Sequence, residues 1–216
     1  MEVSIGYASL AAEAESCGDT AVSCCLPGGG RAVILSDGMG RGSSAAAESQ
    51  AVVRLLRRLL KSGMTAGQAI QTVNLHMEQE KNEIFATLDL VILDLECGTA
   101  VFYKQAAAPS FVVRGGRLMR IQQPALPVGI VPAVKLARVT LALAPGDTII
   151  LMSDGISDSG RRSWVGRYLT SLIYDELESG RQYGPRQLAD RILTEAVRQG
   201  KGRTADDATV AVMRLR

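Results

Sequence analysis

Three stretches of the chain put carboxylates where a rigid scaffold can aim them. Ser36-Asp37-Gly38-Met39-Gly40-Arg41-Gly42 follows the short apolar run Arg31 to Leu35. Ser153-Asp154-Gly155-Ile156 follows a second apolar run, Thr148 to Met152, and Asp206-Asp207-Ala208-Thr209 directly precedes a last one. Hard divalent cations such as Mg2+ and Mn2+ prefer oxygen donors: carboxylates, backbone carbonyls and water. A glycine after the aspartate lets the backbone come close enough to offer its carbonyl. One Asp-Gly after a strand is an ordinary turn, because both residues dominate turns. Two strand-Ser-Asp-Gly units and a third acidic pair strengthen the metal reading, and on spacing alone the two readings carry equal weight.

Other chemistry is poorly supplied. The four cysteines, Cys17, Cys24, Cys25 and Cys97, show no CxxC spacing, which disfavours zinc. No GxxxxGK[ST] phosphate loop occurs, so a nucleotide-binding protein is set aside, and the one Cys-x5-Arg spacing, Cys25 to Arg31, spans the Pro27-Gly28-Gly29-Gly30 turn. His76 is the single histidine, in a helical stretch away from every acidic loop, and reads as a helix-surface residue rather than a general acid. The net charge of +2, without a dense basic run, argues against nucleic acid. No apolar run approaches the roughly 20 residues of a membrane span. Scattered cysteines and no signal peptide suggest a reducing, cytoplasmic setting, either for the chain itself or for the cytoplasmic part of a larger membrane protein.

Strands, helices, more strands, helices and a strand must hold these loops. Val3 to Leu10, Asp19 to Leu26 and Arg31 to Leu35 read as strands, with Pro27-Gly28-Gly29-Gly30 as a turn. Ser43 or Ser44 caps a helix carrying Val52, Leu55, Leu56, Leu59 and Leu60, and Gly63 stops it. Thr65 opens a second helix with Ala66, Ala69, Ile70, Val73 and Met77 at helical spacing. Arg54, Arg57, Arg58 and Lys61 lie opposite the leucines and read as a solvated face, with docking of an acidic protein as the sharper alternative. Thr87 to Glu96, Ala100 to Gln105, Ser110 to Arg114 and Arg117 to Ile121 follow as strands, the last two joined by Gly115-Gly116. Lys135 to Leu143 and Thr148 to Ser153 read as a pair around Pro145-Gly146-Asp147. Helices near Val165 to Glu178 and Pro185 to Gln199 precede a final strand, Thr209 to Leu215. Strands and helices do not alternate, which disfavours a parallel doubly wound sheet and favours an α+β fold with antiparallel sheets and helices outside.

The strings SDGMGRG, MSDGI, DDATV and CGD (Cys17 to Asp19) resemble the metal motifs of the type 2C protein phosphatases. Thr87 to Leu95, Ala108 to Gly116 and Leu126 to Ile130 resemble, in the same order, the phosphatase domain of the stage II sporulation protein E group. The resemblance spans nearly the whole chain and implies one domain over residues 1–216. It implies an antiparallel β-sandwich flanked by pairs of helices, a four-layer αββα arrangement. It further implies that Asp37 bridges two metals, that Gly38 offers its carbonyl and Asp19 its carboxylate to one, and that Asp154 and Asp206 hold the other. Asp207 stands as the alternative to Asp206. Arg41 replaces a small polar residue common in relatives and is expected to touch substrate phosphate. Met39 is expected to pack under its loop.

The implied reaction is hydrolysis of phosphoserine or phosphothreonine with two Mn2+ or Mg2+ ions. A phosphomonoester dianion repels an anionic nucleophile, and its uncatalysed hydrolysis is among the slowest known. Two cations neutralise that charge and acidify a water between them. The implied substrate is a phosphorylated anti-anti-sigma factor in sporulation or stress signalling. A homodimer partner or a regulatory domain is implied to act through the helix pair at residues 44–79. The competing expectation is a degenerate phosphatase fold that only binds.

Overall fold

The computed structural model describes residues 1–12, 16–40, 42–79, 85–160 and 163–216. Arg41 therefore lies outside the described residues, and so does its expected contact with phosphate. The chain divides into two compact units.

The first unit takes residues 1–12, 108–121 and 144–216. Its antiparallel sheet runs in the order β1 (Val3–Leu10), β10 (Ala208–Leu215), β9 (Thr148–Met152), β6 (Ser110–Arg114), β7 (Arg117–Ile121). All eight residues of β10 are buried, as a central strand requires. Two helices, α4 (Trp164–Ser179) and α5 (Pro185–Gln199), contribute to its core. Leu169, Leu172, Leu188 and Ile192 meet Ile150, Val210 and Val212 there. Trp164 is part of this core, with its ring tilted against Tyr168.

The second unit takes residues 13–107 and 122–143. Its antiparallel sheet runs β2 (Asp19–Cys25), β3 (Arg31–Asp37), β4 (Leu88–Asp94), β5 (Thr99–Gln105), β8 (Arg138–Ala142). Its helices are α1 (Gly42–Lys61) and α2 (Ala66–Gln79). Val52, Leu56, Ile70 and Val73 pack on Ile34, Leu88 and Leu90, which is the stripe the helical spacing requires. Gly63, at φ 90°, ends α1 with Met64 N–H donating to the Leu59 carbonyl. Arg54, Arg57, Arg58 and Lys61 are all exposed.

The α+β class and the antiparallel sheets agree with expectation. Two details do not. The stretch from Lys135 enters the sheet only at Arg138, and its partner is β5, whereas β9 pairs with β10 and β6. The turn at Pro145-Gly146-Asp147 thus passes the chain from one sheet to the other instead of closing a hairpin. Its geometry serves the first unit: the Asp147 carboxylate accepts from Ala144 N–H at 2.8 Å and takes both Arg114 bonds at 2.6 and 2.8 Å. Asp154, expected in a loop, instead opens a one-turn helix, α3 (Asp154–Ser157).

Candidate active site

The second unit holds Asp19, Asp37 and Gly38. Asp19 is the first residue of β2 and Asp37 the last of β3, and the antiparallel register sets them directly opposite one another. Asp19 is buried and Asp37 half-buried. Like charges at opposed cross-strand positions destabilise a sheet, so this pairing suits a bound cation.

The backbone beneath the pair is fixed by β4's approach. Asp37 N–H donates to Thr87 Oγ1 at 3.0 Å, Thr87 N–H returns to the Asp37 carbonyl at 2.9 Å, and Ser36 Oγ donates to the Thr87 carbonyl at 2.7 Å. Gly38 then bridges Ala86, and Met39 N–H is shared between the Phe85 carbonyl and Glu48 Oε2, each at 3.2 Å. Glu48 on α1 was not flagged by the sequence, nor was Thr87. Burial raises the Glu48 carboxyl above its usual range, opposed by the Met39 and Ser44 hydrogen bonds. Gly38 is demanded by close approach: a Cβ there would sit 2.0 Å from the Ala45 carbonyl oxygen of α1. Met39, expected beneath the loop, is instead 58% exposed, its N–H held by Phe85 and Glu48 while its side chain stays in solvent. His76 lies on the exposed side of α2.

The first unit holds the other acids. Ser153 joins β9 to β10: its N–H donates to the Thr209 carbonyl at 3.0 Å, Thr209 N–H donates to its hydroxyl at 2.9 Å, and that hydroxyl donates to the Asp207 carbonyl at 3.3 Å. This lock brings Asp154 to the acidic pair. Asp154 exposes part of its surface, yet protein atoms crowd the carboxyl. That desolvation first, then the charges of Asp206 and Asp158, hold it above the ordinary carboxylate range. Asp158, four residues on in the same SDGISD run, is a further acidic neighbour that the sequence reading passed over. Gly155 repeats the logic of Gly38, since a Cβ there would lie 2.1 Å from the Asp207 carbonyl oxygen.

The Asp206–Asp207 ambiguity acquires a physical contrast. Asp207 is 4% exposed and its Oδ1 accepts from Ala12 N–H at 2.7 Å, a tie between β10's lead-in and β1's exit. Asp206 is half-buried, caps the Asp207 N–H with its own Oδ1 at 2.9 Å, and is the charge that Asp154 feels. Among the described residues no three His, Cys, Asp or Glu side chains gather as a ready ligand set. The acids come instead as an opposed pair in one unit and a repelling group in the other. Every donor is oxygen and each arrangement sets carboxylates near one another, so the residues fit Mg2+ or Mn2+ better than a soft metal.

The sequence pattern of the family described as stage II sporulation protein E (SpoIIE) matches residues 27–216. Stage II sporulation protein E of Bacillus subtilis (strain 168) is 35% identical over 190 residues, which are 85% of this chain and 22% of that protein. The chain thus spans about a fifth of that relative's length. A solved structure of the PP2C phosphatase domain with a fragment of the regulatory domain of SpoIIE from Bacillus subtilis is 33% identical, with a TM-score of 0.87 over 100% of this chain and 64% of that one. The phosphatase domain of the same protein, in a crystal form without domain swapping, is 32% identical with a TM-score of 0.72, covering 99% of this chain and 92% of that one. With both the sequence pattern and the fold in agreement, the chain belongs to the stage II sporulation protein E family and corresponds to its PP2C phosphatase domain.

Proposed function

We propose that the 216 residues act as a single metal-dependent phosphatase domain that hydrolyses phosphoserine or phosphothreonine in a protein. The observation that carries the reading is the opposed pair Asp19 and Asp37 at the ends of β2 and β3, two carboxylates that a cation would reconcile. In this reading, carried by the family resemblance, Asp19, Asp37 and the Gly38 carbonyl would hold one divalent ion and Asp154 and Asp206 would hold a second. Mn2+ or Mg2+, when bound, supplies the charge neutralisation and water activation that phosphomonoester hydrolysis needs.

The chain's own part is positioning. Thr87 sets the height of Asp37, Ala45 of α1 limits where Gly38 can sit, and the Ser153 lock holds Asp154 and Asp206 in fixed relation. Asp207 braces that lock from the backbone side through Ala12. Such constraint matters because metal-assisted chemistry loses rate steeply with small displacements.

The substrate proposed from the family resemblance is a phosphorylated anti-anti-sigma factor, and the helix pair at residues 44–79 is proposed as the face on which a regulatory domain or a second copy acts. No helix among the described residues is long and apolar enough to cross a membrane. The reading is tested with p-nitrophenyl phosphate and a phosphorylated anti-anti-sigma protein, each with and without Mn2+. Hydrolysis that needs Mn2+ and stops in EDTA is expected. Unchanged turnover in excess EDTA overturns it.

A further inference from the structure

The segment at residues 122–137 crosses the second unit without regular structure, yet three amide side chains hold its backbone. Gln105, fully buried, donates from Nε2 to the Leu126 carbonyl at 3.1 Å and the Lys135 carbonyl at 3.3 Å, and its Oε1 accepts from Ala137 N–H at 3.0 Å. Asn74, also fully buried, donates to the Val131 carbonyl at 2.8 Å and accepts from Gly129 N–H at 3.0 Å. Gln71 donates to the Val134 carbonyl at 2.6 Å. Buried amides are costly unless satisfied, so this strap is a built feature.

The strap's middle joins the metal-site loop. Val128 exchanges both backbone bonds with Ala86, at 3.0 and 3.3 Å, and Ala86 bridges Gly38. What the strap presents is apolar. Leu126 is 50% and Ile130 41% exposed, either side of the fully buried Val128, and Met39 beside Gly38 is 58% exposed. Large exposed apolar side chains found singly are unremarkable on a protein surface. Here the second unit's exposed large hydrophobics, among the described residues, are these three and Leu75, which adjoins Asn74. Of these, Met39, Leu126 and Ile130 each lie within two residues of the backbone bridges that link Gly38, Ala86 and Val128.

We propose that Met39, Leu126 and Ile130 form a docking surface for the polypeptide flanking the phosphorylated residue, and that it selects apolar side chains there. The inference rests on the phosphatase reading. A phosphoserine side chain is only a few bonds long, so a peptide that delivers its phosphate to the Gly38 loop must lie across the residues beside that loop. Apolar flanking residues would bury Leu126 and Ile130, and acidic or small polar ones would not.

The test uses the whole chain in Mn2+ with three probes: p-nitrophenyl phosphate, a phosphoserine decapeptide with Leu and Val flanking the phosphoserine, and the same peptide with Gly and Ser there. The wild type is expected to favour the apolar peptide at least fivefold in kcat/KM. The Leu126→Ser/Ile130→Ser variant is expected to bring that ratio close to one while leaving p-nitrophenyl phosphate turnover and the half-activating Mn2+ concentration within twofold. A wild type with no preference, or a preference that survives in the variant, overturns the docking surface while leaving the phosphatase reading intact. A variant that keeps the preference but loses self-association in sedimentation assigns the surface to a second copy and also overturns it. A wild type that hydrolyses none of the three probes overturns the phosphatase reading, and the docking surface with it.

Discussion

Thr87 and Asp37 are tied by a reciprocal pair of bonds, the Asp37 amide to the Thr87 hydroxyl at 3.0 Å and the Thr87 amide to the Asp37 carbonyl at 2.9 Å. The hydroxyl bond exists only because residue 87 carries an oxygen. Thr87→Val keeps the shape and leaves the Asp37 amide without its acceptor, which costs about 1–3 kcal/mol. We expect the half-activating Mn2+ concentration to rise at least fivefold in this variant, and Thr87→Ser to restore it. An unaltered Mn2+ requirement in Thr87→Val would show that Asp37 is held by its strand alone.

Asp206 and Asp207 are separated by one experiment. Asp206→Ala is expected to remove Mn2+-dependent turnover and to change the Tm of the metal-free chain little, because relief of the charge facing Asp154 offsets loss of the Asp207 N–H cap. Asp207→Ala orphans the Ala12 N–H and is expected to lower stability by about 1–3 kcal/mol in denaturant unfolding. If Asp206→Ala retains full turnover while Asp207→Asn, which keeps an acceptor oxygen, abolishes it, the assignment is reversed.

Asp154 makes the metal-free chain pH-sensitive in a definite direction. Crowding, then Asp206 and Asp158, hold its folded-state value above that of the unfolded chain. The folded form therefore binds the proton more tightly, and this group's contribution to stability is full at low pH and is lost as pH rises through the raised value. Asp154→Asn removes the charge. Its metal-free Tm is expected to exceed that of the wild type at neutral pH, with the gap closing in acid, and the Mn2+-induced rise in Tm is expected to disappear. A lower metal-free Tm at neutral pH would mean that repulsion is not the governing contact.

Away from the acids, Lys104 Nζ meets Asp89 Oδ2 at 2.5 Å with both side chains almost wholly buried. Removing one partner strands a charge in the core, so Lys104→Met is expected to cost about 3–5 kcal/mol. Replacing both, as Lys104→Met/Asp89→Leu, is expected to recover most of that loss in urea unfolding. A double variant as unstable as the single would mean that other contacts of these residues carry the stability.

Much of this was readable before any coordinates. Apolar periodicity located α1, α2 and most strands, and the Gly115-Gly116 hairpin between β6 and β7 is real. Pairing beyond neighbours was not readable: nothing local tells β8 to join β5 when a turn points it at β9, because that choice depends on contacts far apart in sequence. Asp37 and Asp154 stand out because glycine and strand ends mark them, whereas Asp19 enters only through the resemblance of its CGD string. Thr87 and Glu48 did not, since a threonine before a strand and a glutamate in a helix are ordinary until their bonds are seen. The apolar type of Met39 suggests burial, whereas the bonds that hold its N–H leave the side chain exposed.

The two glycines of the Ser-Asp-Gly loops separate a constraint of space from one of backbone angle. Gly38 and Gly155 face carbonyl oxygens at 2.0 and 2.1 Å from where a Cβ would lie, on Ala45 and Asp207 respectively. Gly40, two residues from Gly38, has open space around it but a φ of 90°. Alanine at Gly40 therefore costs about 1–2 kcal/mol of backbone strain and displaces no neighbour. Alanine at Gly38 must push α1 or the loop aside, since a backbone carbonyl has no rotamer to retreat into. We expect Gly38→Ala to raise the half-activating Mn2+ concentration more than tenfold and Gly40→Ala to leave it within twofold, although both lower the Tm. The contrast bears on regulation. If Gly38 is seated by α1, a partner that moves α1 also moves the carbonyl proposed to hold the ion. Should Gly38→Ala bind and use Mn2+ like the wild type, α1 can shift without the loop, and the helix pair serves only to cover its sheet.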